Sequence, residues 1–328
     1  MKLFDTRWNG PHGIGRFSAE VRRRISGFES LAMRGKPSNP MDPIALAAHL
    51  YRAAPAFFFS PGYNAPLRAP CPFAFCVHDL NHLFIRENSS GLKRAYYRYF
   101  LRPAIHRAVA VLTVSEFSRE SICTWANVDA RKVINVGNGV SAVFSPTGPA
   151  VAGRVRPFFL CVSSDRPHKN LQRQLAAFAA SKLSEQFDLL ITARPAEETL
   201  AIVRQLKIDD AVSFIGNVPD DKLAELYRSA SALLFVSLFE GFGLPIVEAM
   251  ASGTPVITSS VASMPEIAGD AAVLVDPTDI GAIGDAMRSL ATDAALRQTL
   301  RERGLERARH FSWDLTARRI SAALESCA

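Results

Sequence analysis

Residues 232–260 read ALLFVSLFEGFGLPIVEAMASGTPVITSS, and the interpretation of this stretch decides the fold. The apolar run ALLFVSLF reads as a buried strand, and TPVITSS as the next one. Between them, Pro245 suits the first position of a helix and Gly253 suits its end, so IVEAMASG predicts a helix. Continuous apolar strands alternating with helices belong to parallel sheets covered on both faces. This reading puts Glu240 on the loop at the C-terminal end of a strand and Glu248 in about the first turn of the helix. Gly241 and Gly243 let backbone N–H groups approach a ligand closely, and a helix N-terminus attracts phosphate. Two carboxylates beside such a place repel phosphate unless they bind something else, and sugar hydroxyls are the obvious candidates.

The same alternation extends outward in both directions. KLFDT is a first strand, followed by the loop RWNGPHGIGRF and a helix FSAEVRRRISGF. AFFFSPG and PFAFCVHD are short buried strands. AVAVLTVSEFSRESICTWA is a strand, a turn and a helix opened by Ser115, with Ser118 near its first turn. KVINVGNGV is a strand running into a glycine turn, and SPTGPAVAGRVR reads as a linker. A second series starts at PFFLCVSS, with RPHKN as its loop and LQRQLAAFAASKL as its helix, and continues through FDLLITA, AVSFIGN and AAVLVD. Pro219, Asp220 and Asp221 crowd the first turn of PDDKLAELYRSA, where the helix dipole favours acids. The expected architecture is α/β: two doubly wound, Rossmann-like domains over 1–147 and 148–310. A C-terminal helix in 311–328 follows, with Trp313 near the domain junction. Ligands are expected at strand C-termini in a central cleft.

Composition narrows the class. The 328 residues are 48% hydrophobic, an ordinary globular balance with room for two cores. No run approaches the roughly 18 apolar residues of a membrane span, and MKLFDTRWNGPHG has no signal-peptide core, so a cytoplasmic chain is expected. Cys71, Cys76, Cys123, Cys161 and Cys327 are scattered and odd in number, which fits reduced thiols rather than a metal site. Residues 1–147 carry 19 Lys+Arg against 9 Asp+Glu (+10); the remainder carries 19 against 22 (−3), giving the net +7. The excess lies in VRRRIS (21–26) and LKRAYYRYFLRPAIHRA (92–108). In the second, Lys93, Arg94, Arg98, Arg102 and Arg107 interleave with Tyr96, Tyr97, Tyr99 and Phe100. Such a segment is either a solvated helix face or an amphipathic helix that meets an anionic membrane surface or acceptor. No nucleic-acid motif accompanies it.

From Phe158 to about Asp276 the chain resembles the nucleotide-sugar-binding domain of family 4 retaining glycosyltransferases, which have the GT-B fold. The signature is E-x7-E, met by Glu240 and Glu248 within EGFGLPIVEAMASGTPVITSSVASMPEIAGDAAVLVDP. The N-terminal half resembles the family more loosely, through GIGRF, VHD, VSEFSRES and NGV. The resemblance implies that Glu248 accepts hydrogen bonds from the nucleotide ribose and that Glu240 contacts hydroxyls of the transferred sugar. Backbone N–H groups of Phe242, Gly243 and Leu244 would face sugar and phosphate. Lys169 matches the lysine that neutralises the donor diphosphate. Ser164 stands where the family often has arginine, and His168 where arginine commonly precedes the lysine, so Arg166 is the replacement cation offered by this loop. Gly13, Gly15 and Arg16 match a loop beside donor phosphate and acceptor. Their GIG lacks the spacing of a dinucleotide fingerprint, which argues against an NAD enzyme. His78, with Asp79 at the end of PFAFCV, matches a histidine near the sugar. Ser115 and Glu116 also match, and equally suit a helix cap.

The implied reaction is retaining transfer of a hexose from a nucleotide diphosphate sugar to a hydroxyl of a glycan or lipid-linked oligosaccharide, in surface polysaccharide or lipopolysaccharide assembly. Catalytic weight falls on Glu240, His78 and Lys169. VHDL, NGV and RPHKN look like the mannosyltransferase branch, so GDP-mannose is the expected co-substrate. No cofactor and no metal are expected, because no DxD-type cluster is present. Arg16, Lys93, Arg94, Arg98 and Arg102 are assigned to the acceptor or to the inner face of the cytoplasmic membrane. A UDP-sugar-dependent transferase and a non-catalytic nucleotide-sugar-binding scaffold are the alternatives.

Overall fold

The computed structural model describes residues 1–326 apart from Pro11, Arg86 and Asn88, so Cys327 lies outside the described residues. The chain divides into two compact units, Met1–Gly139 with Ser312–Ala328, and Val140–Phe311.

In the first unit the strands are β1 (Lys2–Phe4), β2 (Glu29–Ser30), β3 (Phe57–Ser60), β4 (Phe73–Cys76), β5 (Ala110–Thr113) and β6 (Val133–Asn135). They form one sheet in the order β2-β1-β3-β4-β5-β6, every pair parallel. Its helices are α1 (Gly13–Arg22), α2 (Asp42–Ala53), α3 (Asn81–Phe84), α4 (Gly91–Tyr96), α5 (Arg102–Arg107) and α6 (Glu116–Ala126). Parallel strands need such crossovers, and helices on both faces demand apolar side chains on both. Phe57, Phe58 and Phe59 are accordingly all buried. Phe58, Phe75 and Val111 meet Leu46, Leu50 and Ile105 in the core.

The second unit holds β7 (Phe158–Cys161), β8 (Asp188–Ile191), β9 (Val212–Phe214), β10 (Ala232–Phe235), β11 (Val256–Ser259) and β12 (Val273–Val275). Their order is β12-β11-β10-β7-β8-β9, again wholly parallel. The helices are α7 (Leu171–Ala180), α8 (Glu197–Leu206), α9 (Asp220–Ser229), α10 (Leu244–Ala251), α11 (Met264–Ala268), α12 (Ile280–Thr292) and α13 (Ala294–Ala308). Phe159, Phe178, Leu234 and Met287 are core members with no exposed surface. Each such side chain stabilises the fold by about 1.5–3 kcal/mol relative to exposure. Strand order reverses between β1 and β3 in the first sheet and between β7 and β10 in the second. Reversal points of this kind open a crevice at the strand C-termini.

The boundary differs from the expected one at 147/148. The Pro/Gly-rich stretch is pinned to the second unit rather than free: Phe144 packs edge-on against Tyr227 at 5.8 Å, and Arg228 donates to the carbonyls of Ser145 and Pro149. The last helix, α14 (Trp313–Glu325), belongs to the first unit. There Trp313 lies 6.3 Å from Phe17, and Asp314 pairs with Arg24 at 2.7 Å.

Gly13 to Arg16 do not form the expected loop; they are the first turn of α1. His12 caps the helix, its Nδ1 accepting from Gly15 N at 2.9 Å. The turn closes because Gly15 has no Cβ: one added there would sit 2.2 Å from the Gly10 carbonyl oxygen. The basic segment is not one continuous α-helix either. Tyr97–Leu101 widen into a π-helical stretch between α4 and α5, which turns Tyr97 and Leu101 into the core.

Candidate functional site

The loops after β7 and β10 flank the reversal in the second sheet. After β7, a 3-10 turn over Pro167–Lys169 presents Lys169. After β10, the loop carries Glu240. The Lys169 ammonium donates to Glu240 Oε1 at 2.7 Å, with side chains 20% and 13% exposed. It also stands 5.1 Å from the centre of the Phe235 ring. Both loops are braced from below. Leu238 N donates to the His168 carbonyl at 2.7 Å, and Gln174 Nε2 to the Lys169 carbonyl at 2.8 Å. Buried Asn170, in the left-handed region at φ 59°, donates to the carbonyls of Val236 and Pro277. Ser263 Oγ donates to the carbonyls of Glu240 and Phe242. Asn170, Gln174 and Ser263 were not singled out in the sequence. Asn170 directly follows the RPHK run, but nothing local marks its contact with a loop more than a hundred positions away.

Gly243, at φ 95°, ends the β10 loop and starts α10 at Leu244. Phe242 is buried against Phe311, ring centres 5.6 Å apart. Glu248 therefore does not occupy the first turn of α10. It lies one turn further in, is 4% exposed, and accepts from the Tyr227 hydroxyl at 3.1 Å. Ser164 is half-buried, and its carbonyl accepts from Arg166 N at 2.8 Å. Arg166 is exposed, and among the described residues no acceptor engages its guanidinium.

In the first unit the corresponding reversal, between β1 and β3, is filled by a buried polar network. Arg7 donates to Asp5 at 2.7 Å and to Asp42 at 2.6 Å. Asn64 Nδ2 donates to both carboxylates, and Trp8 Nε1 donates to Asn64 Oδ1 at 2.5 Å. Burial opposes the charge on Arg7, but the hydrogen bonds to Asp5 and Asp42 outweigh it and raise its pKa above the ordinary arginine value. None of these residues stood out in the sequence, because the contacts span up to 59 positions.

His78 follows β4, its ring 4.9 Å from Phe17 and edge-on. Nε2 lies 2.9 Å from the Pro61 carbonyl, so this nitrogen carries the proton. Burial lowers the His78 pKa to about 4; the Pro61 hydrogen bond opposes that and nearby His12 adds to it. The ring is thus neutral near pH 7, with Nδ1 as an acceptor. Ser118 Oγ donates to the His78 carbonyl, and Ser115 Oγ caps α6 by accepting from Ser118 N at 3.1 Å. Gly13, Gly15 and Arg16 lie in the α1 turn.

Lys93, Arg94 and Arg98 are exposed, and Arg102 is half-buried. Much of the VRRRIS charge is spent internally: Arg22 donates to the Phe28 carbonyl, and Arg24 pairs with Glu20 and Asp314. Cys71, Cys76, Cys123 and Cys161 are unpaired thiols, and burial pushes Cys161 up to about 12. Among the described residues no three His, Cys, Asp or Glu side chains gather as a metal-binding group, and no helix is long and apolar enough to cross a membrane.

Residues 152–307 match the family profile of group 1 glycosyl transferases, and residues 13–144 match that of glycosyltransferase family 4. The chain is 30% identical over 250 residues to O-antigen chain mannosyltransferase B of Escherichia coli, covering 72% of this chain and 66% of that one. It is 32% identical over 208 residues to O-antigen chain mannosyltransferase RfbU of Salmonella typhimurium, covering 62% and 56%. It thus spans less than two thirds of the length of these curated relatives. The structure of Alr3699/HepE from Anabaena, in complex with UDP and glucose, matches with a TM-score of 0.80 at 17% identity over 99% of both chains. The architecture is the GT-B fold expected from the sequence. With matches covering both halves, the chain belongs to the family 4 glycosyltransferases.

Proposed function

We propose that this chain transfers mannose from GDP-mannose, with retention of configuration, to a hydroxyl of a glycan or lipid-linked oligosaccharide during surface polysaccharide assembly. The observation that carries this reading is the Lys169–Glu240 pair at the reversal of the second sheet, beside the start of α10. A diphosphate entering there takes the ammonium, and hydroxyls of the transferred sugar take the released carboxylate. Glu248, oriented by Tyr227, accepts from the ribose. Two relatives carrying mannosyltransferase names support the choice of sugar, together with VHDL, NGV and RPHKN.

In the transfer step the bond from the sugar C1 to the diphosphate oxygen breaks, and a bond from C1 to the acceptor oxygen forms on the same face. The acceptor proton passes to the departing phosphate oxygen. Catalysis then rests on charge stabilisation by Lys169 and the backbone amides of Phe242, Gly243 and Leu244. A pair of free catalytic carboxylates, as in hydrolases, is not required. His78, neutral and with Nε2 committed to Pro61, serves as a hydrogen-bond acceptor at Nδ1 for a sugar hydroxyl. Phosphate charge is carried without a metal, so transfer is expected to survive chelation by EDTA. The acceptor is held at an anionic membrane surface, which the basic segment 92–108 approaches.

Incubation with labelled GDP-mannose and a lipid-linked oligosaccharide tests this function. An α-linked mannosyl product supports it. Inverted product, or hydrolysis without transfer, overturns it.

A further inference from the structure

The turn at the end of β3 reads SPGYN, residues 60–64, and its two buried polar side chains, Ser60 and Asn64, fold it. Ser60 Oγ donates to Asn64 Oδ1 at 2.5 Å and accepts from Gly62 N at 3.3 Å. The Trp8 indole closes over Gly62, where an added Cβ would stand 2.3 Å from Trp8 Cε2. Its Nε1 donates to the same Asn64 oxygen at 2.5 Å. Between these anchors sits Pro61, which has no N–H and a fixed φ. Pro61 presents its carbonyl, and that carbonyl accepts the Nε2 proton of His78 at 2.9 Å.

Asn64 uses every hydrogen-bonding position of its side chain. Oδ1 accepts twice, and Nδ2 donates to Asp5 Oδ2 at 2.9 Å and to Asp42 Oδ2 at 3.0 Å. A rotated amide would set its NH2 against two donors and its oxygen against two carboxylates, so one orientation is fixed. The carboxylates are held in turn. Asp5 accepts from Arg7 N as it opens the 3-10 turn Thr6–Trp8, and Asp42 stands in the first turn of α2. Asn64 is the junction through which the Arg7 network reaches the turn that holds His78. Buried polar networks with every member satisfied rigidify what they bind.

We propose that Asn64 is a positioning residue for sugar transfer: through Ser60 and the Pro61 carbonyl it keeps His78 in the Nε2–H tautomer, with Nδ1 as the acceptor. A neutral imidazole takes its tautomer from the bond that its other nitrogen makes. Here that bond goes to a backbone carbonyl, whose direction is set by the 60–64 turn. Two other contacts of His78 fix its place but not its protonation. Phe17 meets the ring edge-on at 4.9 Å, and Ser118 Oγ donates to the His78 backbone carbonyl at 3.0 Å. The Nδ1–H tautomer would keep both of these, lose the Pro61 bond, and turn the acceptor into a donor. This inference rests on the reading that Nδ1 accepts from a sugar hydroxyl, and it names what prepares the ring for that task.

The test is the tautomer of His78 in the whole chain, read from long-range 1H–15N correlation spectra of protein labelled with 15N-histidine at pH 7.5. His78→Gln identifies the signal by its loss. Asn64→Leu removes the junction. Ser60→Ala weakens it while leaving the charged cluster intact, so S60A carries the test if N64L does not fold. Wild type is expected to hold the Nε2–H form in all but about one part in a hundred, since the other form leaves a buried carbonyl unpaired. S60A should raise the minor form roughly tenfold, the weight of one hydrogen bond, and lower kcat for transfer from GDP-mannose more than it raises KM. A His78 signal identical to wild type in folded S60A overturns the positioning role, whatever happens to transfer. A shifted tautomer with kcat unchanged upholds the coupling of Asn64 to the ring and overturns the reading that transfer uses Nδ1.

Discussion

The Lys169 ammonium lies 2.7 Å from the Glu240 carboxylate, although 71 positions separate the two residues in the chain. β7 and β10 are sequence-distant strands that pair directly, so the loops at their C-terminal ends become neighbours. The pair is partly shielded and backed by Phe235. Each charge therefore holds the other until a ligand with complementary charge replaces it.

This pairing sets opposite expectations for binding and for turnover. Glu240→Gln frees Lys169 from its competitor, so GDP is expected to bind more tightly, roughly fivefold for an interaction of about 1 kcal/mol. Sugar transfer is expected to fall by about a hundredfold or more, because the carboxylate contact to the sugar is lost. Lys169→Ala should weaken GDP binding and lower turnover by about 10²–10³. Calorimetric GDP titration alongside transfer assays checks both. Weaker GDP binding in E240Q contradicts the competition.

His78 gives the fold a pH dependence of definite sign. Its native pKa is lowered to about 4 from 6.5, so at low pH the unfolded chain takes up a proton that the native ring refuses. The contribution to stability is complete above about pH 6.5 and is lost as pH falls through 4, on the order of 3 kcal/mol in all. His78→Gln, which retains a donor for the Pro61 carbonyl, should flatten this part of the profile. Urea unfolding at pH 7.5, 6.0 and 5.0 measures it; identical slopes for both proteins contradict the assignment.

Arg7 holds two buried carboxylates. Arg7→Met leaves Asp5 and Asp42 without their cation and is expected to cost about 3–5 kcal/mol. Adding Asp42→Asn should recover part of that loss, because one uncompensated charge is removed. If the triple set of R7M, D42N and R7M/D42N shows simple additivity by denaturant unfolding, the network is not coupled as described.

Tyr227 and Glu248 form a second buried pair. Tyr227→Phe deletes one donor to a carboxylate that is 4% exposed, which should destabilise the protein by about 1–3 kcal/mol. GDP affinity is expected to fall as well, while inorganic diphosphate affinity stays constant, because the ribose contact depends on the orientation of Glu248. Equal losses for both ligands contradict a ribose role.

What could be read from the sequence follows the range of the interactions involved. Continuous apolar runs such as ALLF and VITS disclose parallel strands because both faces are buried, and E-x7-E is a local pattern within one loop and helix. β2, only two residues long, has no such pattern. The start of α1 is hidden from the sequence because histidine is an unusual helix cap and GIGR has the composition of a loop until Gly15 is placed against Gly10. Contacts such as Asn170 to Pro277, Ser263 to Glu240, and Asp5 to Asn64 depend on strand order, which propensity does not encode. The return of α14 to the first unit is of the same kind. The Pro/Gly composition of 145–156 marked a break in regular structure correctly, but not the side to which the stretch is fastened.

The most direct measurement is thermal unfolding of the whole chain with GDP, UDP, ADP and GDP-mannose, each at millimolar concentration and in EDTA. A ligand present at about 100 times its dissociation constant adds about 2.7 kcal/mol, which is readily visible. Stabilisation by GDP and GDP-mannose, abolished by Lys169→Ala and absent with ADP, is the expected result. A shift with UDP alone contradicts the mannose donor, and no shift with any nucleotide contradicts a diphosphate site at Lys169 and Glu240.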